Sequence, residues 1–215
     1  MLTLRCFLPV ALAAVGVLTS AYSARATSVE LIATPFTGSD TSVLILLEDG
    51  TGADTGNIKV TLTVNEGLAD LRGFFITFDD DSLITGLQVV GDDVTAFDFD
   101  SDGIIDMGQG NNLHGGGSPC PCDIGVTIGT PGIGKDDIFT TSFFLKANQP
   151  LALESFAGES IGVRVTSVGD EKSREGSAKL KVEIPDPLIP VPEPASGALL
   201  ALGIGVLGYA SRTRR

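Results

Sequence analysis

Ile58-Lys59-Val60-Thr61-Leu62-Thr63-Val64 alternates apolar and polar side chains without a break. A period of two puts every second side chain on one face of an extended chain, which is the pattern of a strand with one face buried and one in water. The same reading extends along the chain. Phe139, Thr141, Phe143 and Leu145 alternate with Thr140, Ser142, Phe144 and Lys146; Ile161, Val163 and Val165 with Gly162, Arg164 and Thr166; Leu180, Val182 and Ile184 with Lys179, Lys181 and Glu183. Further strands are expected at Val43 to Glu48, Leu71 to Phe78, Leu83 to Val90 and Val94 to Phe99. No long helical periodicity interrupts them. About eight short strands separated by Gly, Asp and Asn clusters predict an all-β fold, a two-sheet antiparallel β-sandwich, with a jelly roll or a cohesin- or Ig-like order as the topologies to separate. Gly103 to Lys135 reads as a long Gly-rich excursion between strands, a length that within a compact domain marks function or mobility.

Both ends of the chain differ from this body. Arg5 precedes an apolar run from Phe7 to Leu18, and Ala24 and Ala26 form an A-x-A cleavage pattern; residues 1–26 are therefore expected to be a secretory signal removed by signal peptidase, taking Cys6 with them. Residues 27–184 form the ectodomain. Pro185 to Pro194 is an extended proline-rich linker that ends in Val191-Pro192-Glu193-Pro194. Residues 195–215 combine an apolar stretch from Ala195 to Ala210 with Arg212, Arg214 and Arg215, arranged as a single short transmembrane helix with its basic end on the cytoplasmic side. That run is short for a span of about 20 residues, so the anchor reads as temporary.

The order V-P-E-P, apolar segment, basic cluster resembles the PEP-CTERM sorting signal of Gram-negative bacteria. The resemblance implies an exosortase that cuts near Pro192-Glu193-Pro194, transient residence in the inner membrane, and delivery to the envelope, the surface or an exopolysaccharide matrix. The body is similar to the uncharacterised β-sandwich ectodomains that accompany this signal and, distantly, to cohesin-type sandwiches. That likeness lies in Leu71-Arg72-Gly73-Phe74-Phe75, in Gly129 to Ile138 and in Ile161 to Gly169. It implies a fold and carries no catalytic or binding residue with it.

Charge narrows the function. Five of the 14 basic residues (Arg5, Arg25, Arg212, Arg214, Arg215) lie outside Thr27 to Pro194 while all 27 acidic residues lie inside, which leaves nine against 27 and a net charge of −18. Nucleic acid is excluded as a partner, because phosphate neutralisation needs a basic face. The chain has no Trp, and its two Tyr, Tyr22 and Tyr209, fall in the segments expected to be removed; sugar recognition by ring stacking loses its usual platforms.

Two constellations could carry chemistry. Asp98-Phe99-Asp100-Ser101-Asp102-Gly103-Ile104-Ile105-Asp106 has the D-x-D-x-D-G spacing in which alternate carboxylates converge on calcium. Asp98, Asp100 and Asp102 would supply side-chain ligands, Ile104 its carbonyl, and Asp106 a direct or water-mediated ligand. Gln109 stands where an EF-hand has its bidentate Glu, so the alternatives are a weak calcium site and a solvated acidic turn. Cys120-Pro121-Cys122 holds the two thiols left after Cys6 departs, with a local disulfide, free thiols and a metal or redox role all open. His114 is the only histidine and no G-x-S-x-G segment exists to pair with it. The expectation is a non-catalytic surface or matrix protein in adhesion or matrix assembly; a secreted hydrolase or redox protein using its carboxylates or the Cys-Pro-Cys loop is the alternative.

Overall fold

A computed structural model describes residues 28–83, 86–132 and 135–188. The expected signal and transmembrane helices, the cleavage residues Ala24 and Ala26 and the Val191-Pro192-Glu193-Pro194 segment lie outside these residues. Among the described residues no helix is long and apolar enough to cross a membrane.

Ten strands make up the domain: β1 (Ser28–Gly38), β2 (Ser42–Asp49), β3 (Ile58–Glu66), β4 (Leu68–Ile76), β5 (Gln88–Val90), β6 (Val94–Ile104), β7 (Cys122–Ile128), β8 (Thr140–Lys146), β9 (Ser160–Asp170) and β10 (Ser173–Glu183). The alternation read in β3 decides its register. Val60 lies between Leu47 of β2 and Phe143 of β8, and Leu62 between Ile45 and Thr141, so side chains from three strands form continuous buried rows, apolar except at Thr141. A one-residue slip would turn each row to solvent, and this sets the pairing.

All pairings are antiparallel, and the strands follow one unbroken order, β5-β8-β3-β2-β1-β10-β9-β4-β7-β6. The all-β, antiparallel reading therefore holds in its coarse form, whereas the hydrogen-bond ladder runs through ten strands as one sheet. The continuity comes from β1. Ser28 to Ala33 pair with β2, Thr34 to Gly38 pair with β10, and the register slips between Pro35 and Thr37. Proline has no N–H to give a ladder, so Pro35 sits where the strand changes partner. The sheet then curls over its own apolar face. Phe74 of β4 meets Phe143 of β8 edge to face with ring centroids 5.4 Å apart, although six positions separate the two strands in the order. The end strands β5 and β6, joined by Gly91-Asp92-Asp93, come to lie against each other and nearly close the sheet.

Three sequence expectations change. β7 runs through the stretch expected to be a loop from Gly103 to Lys135. β1 was not expected as a strand. Of the described residues in the Leu83 to Val90 segment, Gln88 to Val90 form the strand, and Leu83 ends the 3-10 turn Asp81–Leu83.

Phe74 is fully buried at the contact that ties the two halves together. Phe74→Ala is expected to cost about 3–5 kcal/mol and to lower the melting temperature of the processed protein by roughly 10 °C. Ile32→Ser, on a side chain 52% exposed, shifts it by less than about 2 °C. Thermal unfolding followed by circular dichroism checks both.

Candidate functional site

The aspartate run is built into a strand and its bulge. It lies on β6, and the pairing with β7 jumps from Phe99 opposite Ile124 to Ile104 opposite Cys122, so residues 100–103 bulge out of the ladder. Asp102 takes a left-handed backbone conformation there, with φ of 50°. The bulge is held from across the sheet. Asp123 of β7, 2% exposed, accepts hydrogen bonds from the backbone N–H of Asp102 at 2.7 Å and of Phe78 at 2.6 Å. Asp100 folds over Gly103, where a Cβ would collide with its carboxylate. Asp98 accepts from the N–H of Phe99, and Asp81 accepts from the Ser101 hydroxyl. Ile104 packs with Phe75, Leu113 and Cys122. Asp106 turns into the following loop, where it accepts from the N–H of Gly108 and faces His114 Nε2 at 3.4 Å. The carboxylates thus diverge, and among the described residues no group of three or more His, Cys, Asp or Glu side chains is placed to hold a metal ion. Asp123, which organises the bulge, was missed because its role depends on a register some twenty residues away.

The loop between β6 and β7 lies down on the outer face of the sheet. Three glycines make that face bare: a Cβ on Gly73 of β4 would collide with Asn111, one on Gly162 of β9 with Leu113, and one on Gly125 of β7 with Ile104 and Met107. Phe75, Leu113 and Cys122 are fully buried beneath the loop as a second, small core. Cations on the sheet satisfy the loop's oxygens. Arg164 Nε donates to the carbonyl of Gly110, and Lys179 Nζ donates to the carbonyl of His114 and to Asn112 Oδ1. Burial holds both groups below their ordinary pKa ranges; the Arg72 guanidinium adds to this for Arg164, and Arg164 does so for Lys179. Cys120 and Cys122 are joined in a disulfide at the root of the loop.

A groove runs beside the loop tip. One end, a cleft of about 250 Å³, is lined by Asn111, Thr166, Ser167, Arg174 and Ser177 among others. The other, about 280 Å³, is lined by Thr95, Thr127 and Thr130. Arg72, Gln109 and Pro131 belong to both. Arg72 is 4% exposed and donates to the carbonyl of Ile128 at 2.5 Å.

Residues 190–215 match the family model of the PEP-CTERM protein-sorting motif. The chain carries a PEP-CTERM sorting motif. The match covers Val191-Pro192-Glu193-Pro194, the apolar stretch and the terminal arginines. The motif implies export, transient membrane anchoring in a Gram-negative bacterium and recognition by an exosortase. No curated protein and no solved structure matches the chain, so the PEP-CTERM motif speaks for sorting and leaves the β domain to be read from its own residues.

Two tests follow. Gly162→Ala forces Leu113 off the sheet; it is expected to destabilise by about 1–3 kcal/mol and to open residues 105–119 to limited proteolysis while β-sheet circular dichroism is kept. Glu159, buried beside Asp79 and Asp123, accepts the Thr77 hydroxyl at 2.5 Å. Burial first, then those two carboxylates, raise its pKa above the ordinary 4.5. The folded protein therefore keeps this proton longer than the unfolded chain, so stability is lost as pH rises from about 4.5 through the raised value. Glu159→Gln should melt higher than wild type at pH 7 and converge with it at pH 4, measured as melting temperature against pH.

Proposed function

We propose that this protein is a non-catalytic module of the bacterial envelope or extracellular matrix, released there after its sorting anchor is removed, where the β domain serves adhesion or matrix assembly. The observation that carries the reading is the PEP-CTERM motif at residues 190–215. Three features support it. A charge of −18 over residues 27–194 suits a protein that stays soluble and apart from nucleic acid once released. The single histidine is exposed and faces Asp106 on the loop. Cys120 and Cys122 are bonded to each other at the base of a packed loop, which favours a structural role for them. The reading does not depend on calcium at the aspartate spacing of Asp98 to Asp106.

Fractionation of the producing cells tests the proposal. Wild-type protein is expected in the surface or extracellular fraction in a form shortened at its C-terminus. Replacement of Pro192, Glu193 and Pro194 by Ala is expected to leave the full-length form in the inner membrane. Equal distribution and equal length for wild type and variant would remove the reading.

A further inference from the structure

The packed loop between β6 and β7 sets an amine against an amide. Lys179 Nζ, on β10, lies 2.8 Å from Asn112 Oδ1 and 2.6 Å from the carbonyl oxygen of His114. Both side chains are half-buried where the loop lies on the sheet. The amide carbon is one C=O bond, about 1.2 Å, beyond Oδ1, so the amine is within about 4 Å of it, near the separation from which a nucleophile attacks. Oδ1 also accepts the backbone N–H of His114 at 3.3 Å. That donor polarises the amide and stabilises the negative charge the oxygen acquires when its carbon is attacked.

A base stands beside the pair. Asp106 and Asn112 face each other across an antiparallel bridge, which puts their side chains on the same side, with Cβ atoms about 5 Å apart. The Asp106 carboxylate acts on the Lys179 amine through space and meets His114 Nε2 at 3.4 Å. Burial, and then the Arg164 guanidinium, hold the amine below its ordinary range, which raises the fraction that is uncharged and nucleophilic. Hydrogen bonding to the loop accounts for Lys179 alone. It does not account for a carboxylate, an imidazole and a backbone donor gathered around the amide that the lysine touches.

We propose that Lys179 and Asn112 join in an intramolecular isopeptide bond, with Asp106 as the proton acceptor, so that the loop is tied covalently to β10. Lys179 Nζ attacks Cγ of Asn112; the Nζ–Cγ bond forms and the Cγ–Nδ2 bond breaks. The ammonium group of Lys179 gives up two protons. One passes through Asp106 to Nδ2, which leaves as ammonia, and the other passes through Asp106 and His114 to water. One amide replaces another, so no oxidant or further reactant enters. Asp106 and His114 are exposed, which opens a way out for ammonia, and its loss to solvent draws the reaction forward. The link spans 67 positions of sequence, and a covalent tie of that length stabilises mainly by restricting the unfolded chain. With Cys120 and Cys122 bonded at its root, the loop is then fastened at two places. The inference goes beyond the reading of the domain as a matrix module and does not depend on it.

Peptide mapping by mass spectrometry of the processed protein purified from cells tests this. After reduction and digestion, wild type is expected to yield a branched peptide joining the segments around Asn112 and Lys179, lighter by one ammonia than the two separate peptides. Lys179→Arg keeps the positive charge and the donors; it is expected to yield no branched peptide and to melt roughly 10 °C lower. Asp106→Ala is expected to keep the β-sheet circular dichroism and to slow linkage at least tenfold, followed as the linked fraction after pulse labelling. Recovery of both wild-type peptides unlinked, or linkage at the wild-type rate in a folded Asp106→Ala, would overturn the proposal.

Discussion

Phe74 on β4 and Phe143 on β8 meet edge to face, and that contact exists because β1 hands the sheet from one half to the other. An antiparallel strand with one apolar face must bury that face against something. Here the sheet buries it against itself. The partner change at Pro35 lets residues 28–33 extend one half and residues 34–38 the other, so the ten strands need no second element to cover them. With end strands β5 and β6 consecutive in the chain, the open edges lie side by side, which also limits edge-to-edge association.

Closing the sheet on its apolar face leaves its outer face to be shaped by other means. On β4, β7 and β9 that face is cleared by Gly73, Gly125 and Gly162, and the loop after β6 fills the clearing with Asn111, Leu113 and Met107. Its peptide groups then need partners, and Arg164 and Lys179 supply them. The same arrangement creates the groove. Because the loop tip stands beside residues 129–132 without covering the sheet between them, Arg72 is left beneath a cleft with hydroxyls on both sides. The fold therefore gathers Arg72, Arg164 and Lys179 beneath and beside this loop, where their donors meet backbone carbonyls.

Legibility in the sequence followed the range of the interaction. β3, β8, β9 and β10 were readable because one of their faces is wet and the alternation survives. β7 alternates too, Ile124, Val126 and Ile128 against Asp123, Gly125 and Thr127, but it is embedded in the Gly-rich stretch from Gly103 to Lys135, whose composition reads as loop. β1 was hidden by Pro35 and by an exposed Ile32 opposite the buried Leu31 and Ala33. The sorting motif is local in sequence and could be read without a fold. The aspartate spacing is local too, but its geometry is decided by the β6 to β7 register and by Asp123, neither of which a spacing rule contains. Arg72 lay in plain sight within Leu71-Arg72-Gly73-Phe74-Phe75, and only the position of the loop makes it the floor of a groove.

Amide hydrogen exchange of the processed protein in chelator addresses the central claim, that the segment after β6 is a packed roof over the sheet. The N–H groups of Met107, Asn111 and Leu113 are bonded to the carbonyls of Asn111, Gly108 and Ile105, over the second, apolar core. They should exchange slowly, with protection comparable to that of the β4 and β9 amides beneath them, and calcium should leave their rates unchanged. Exchange at the rate of an open loop, with protection appearing only when calcium is added, would contradict the account and return the aspartates to the centre of it.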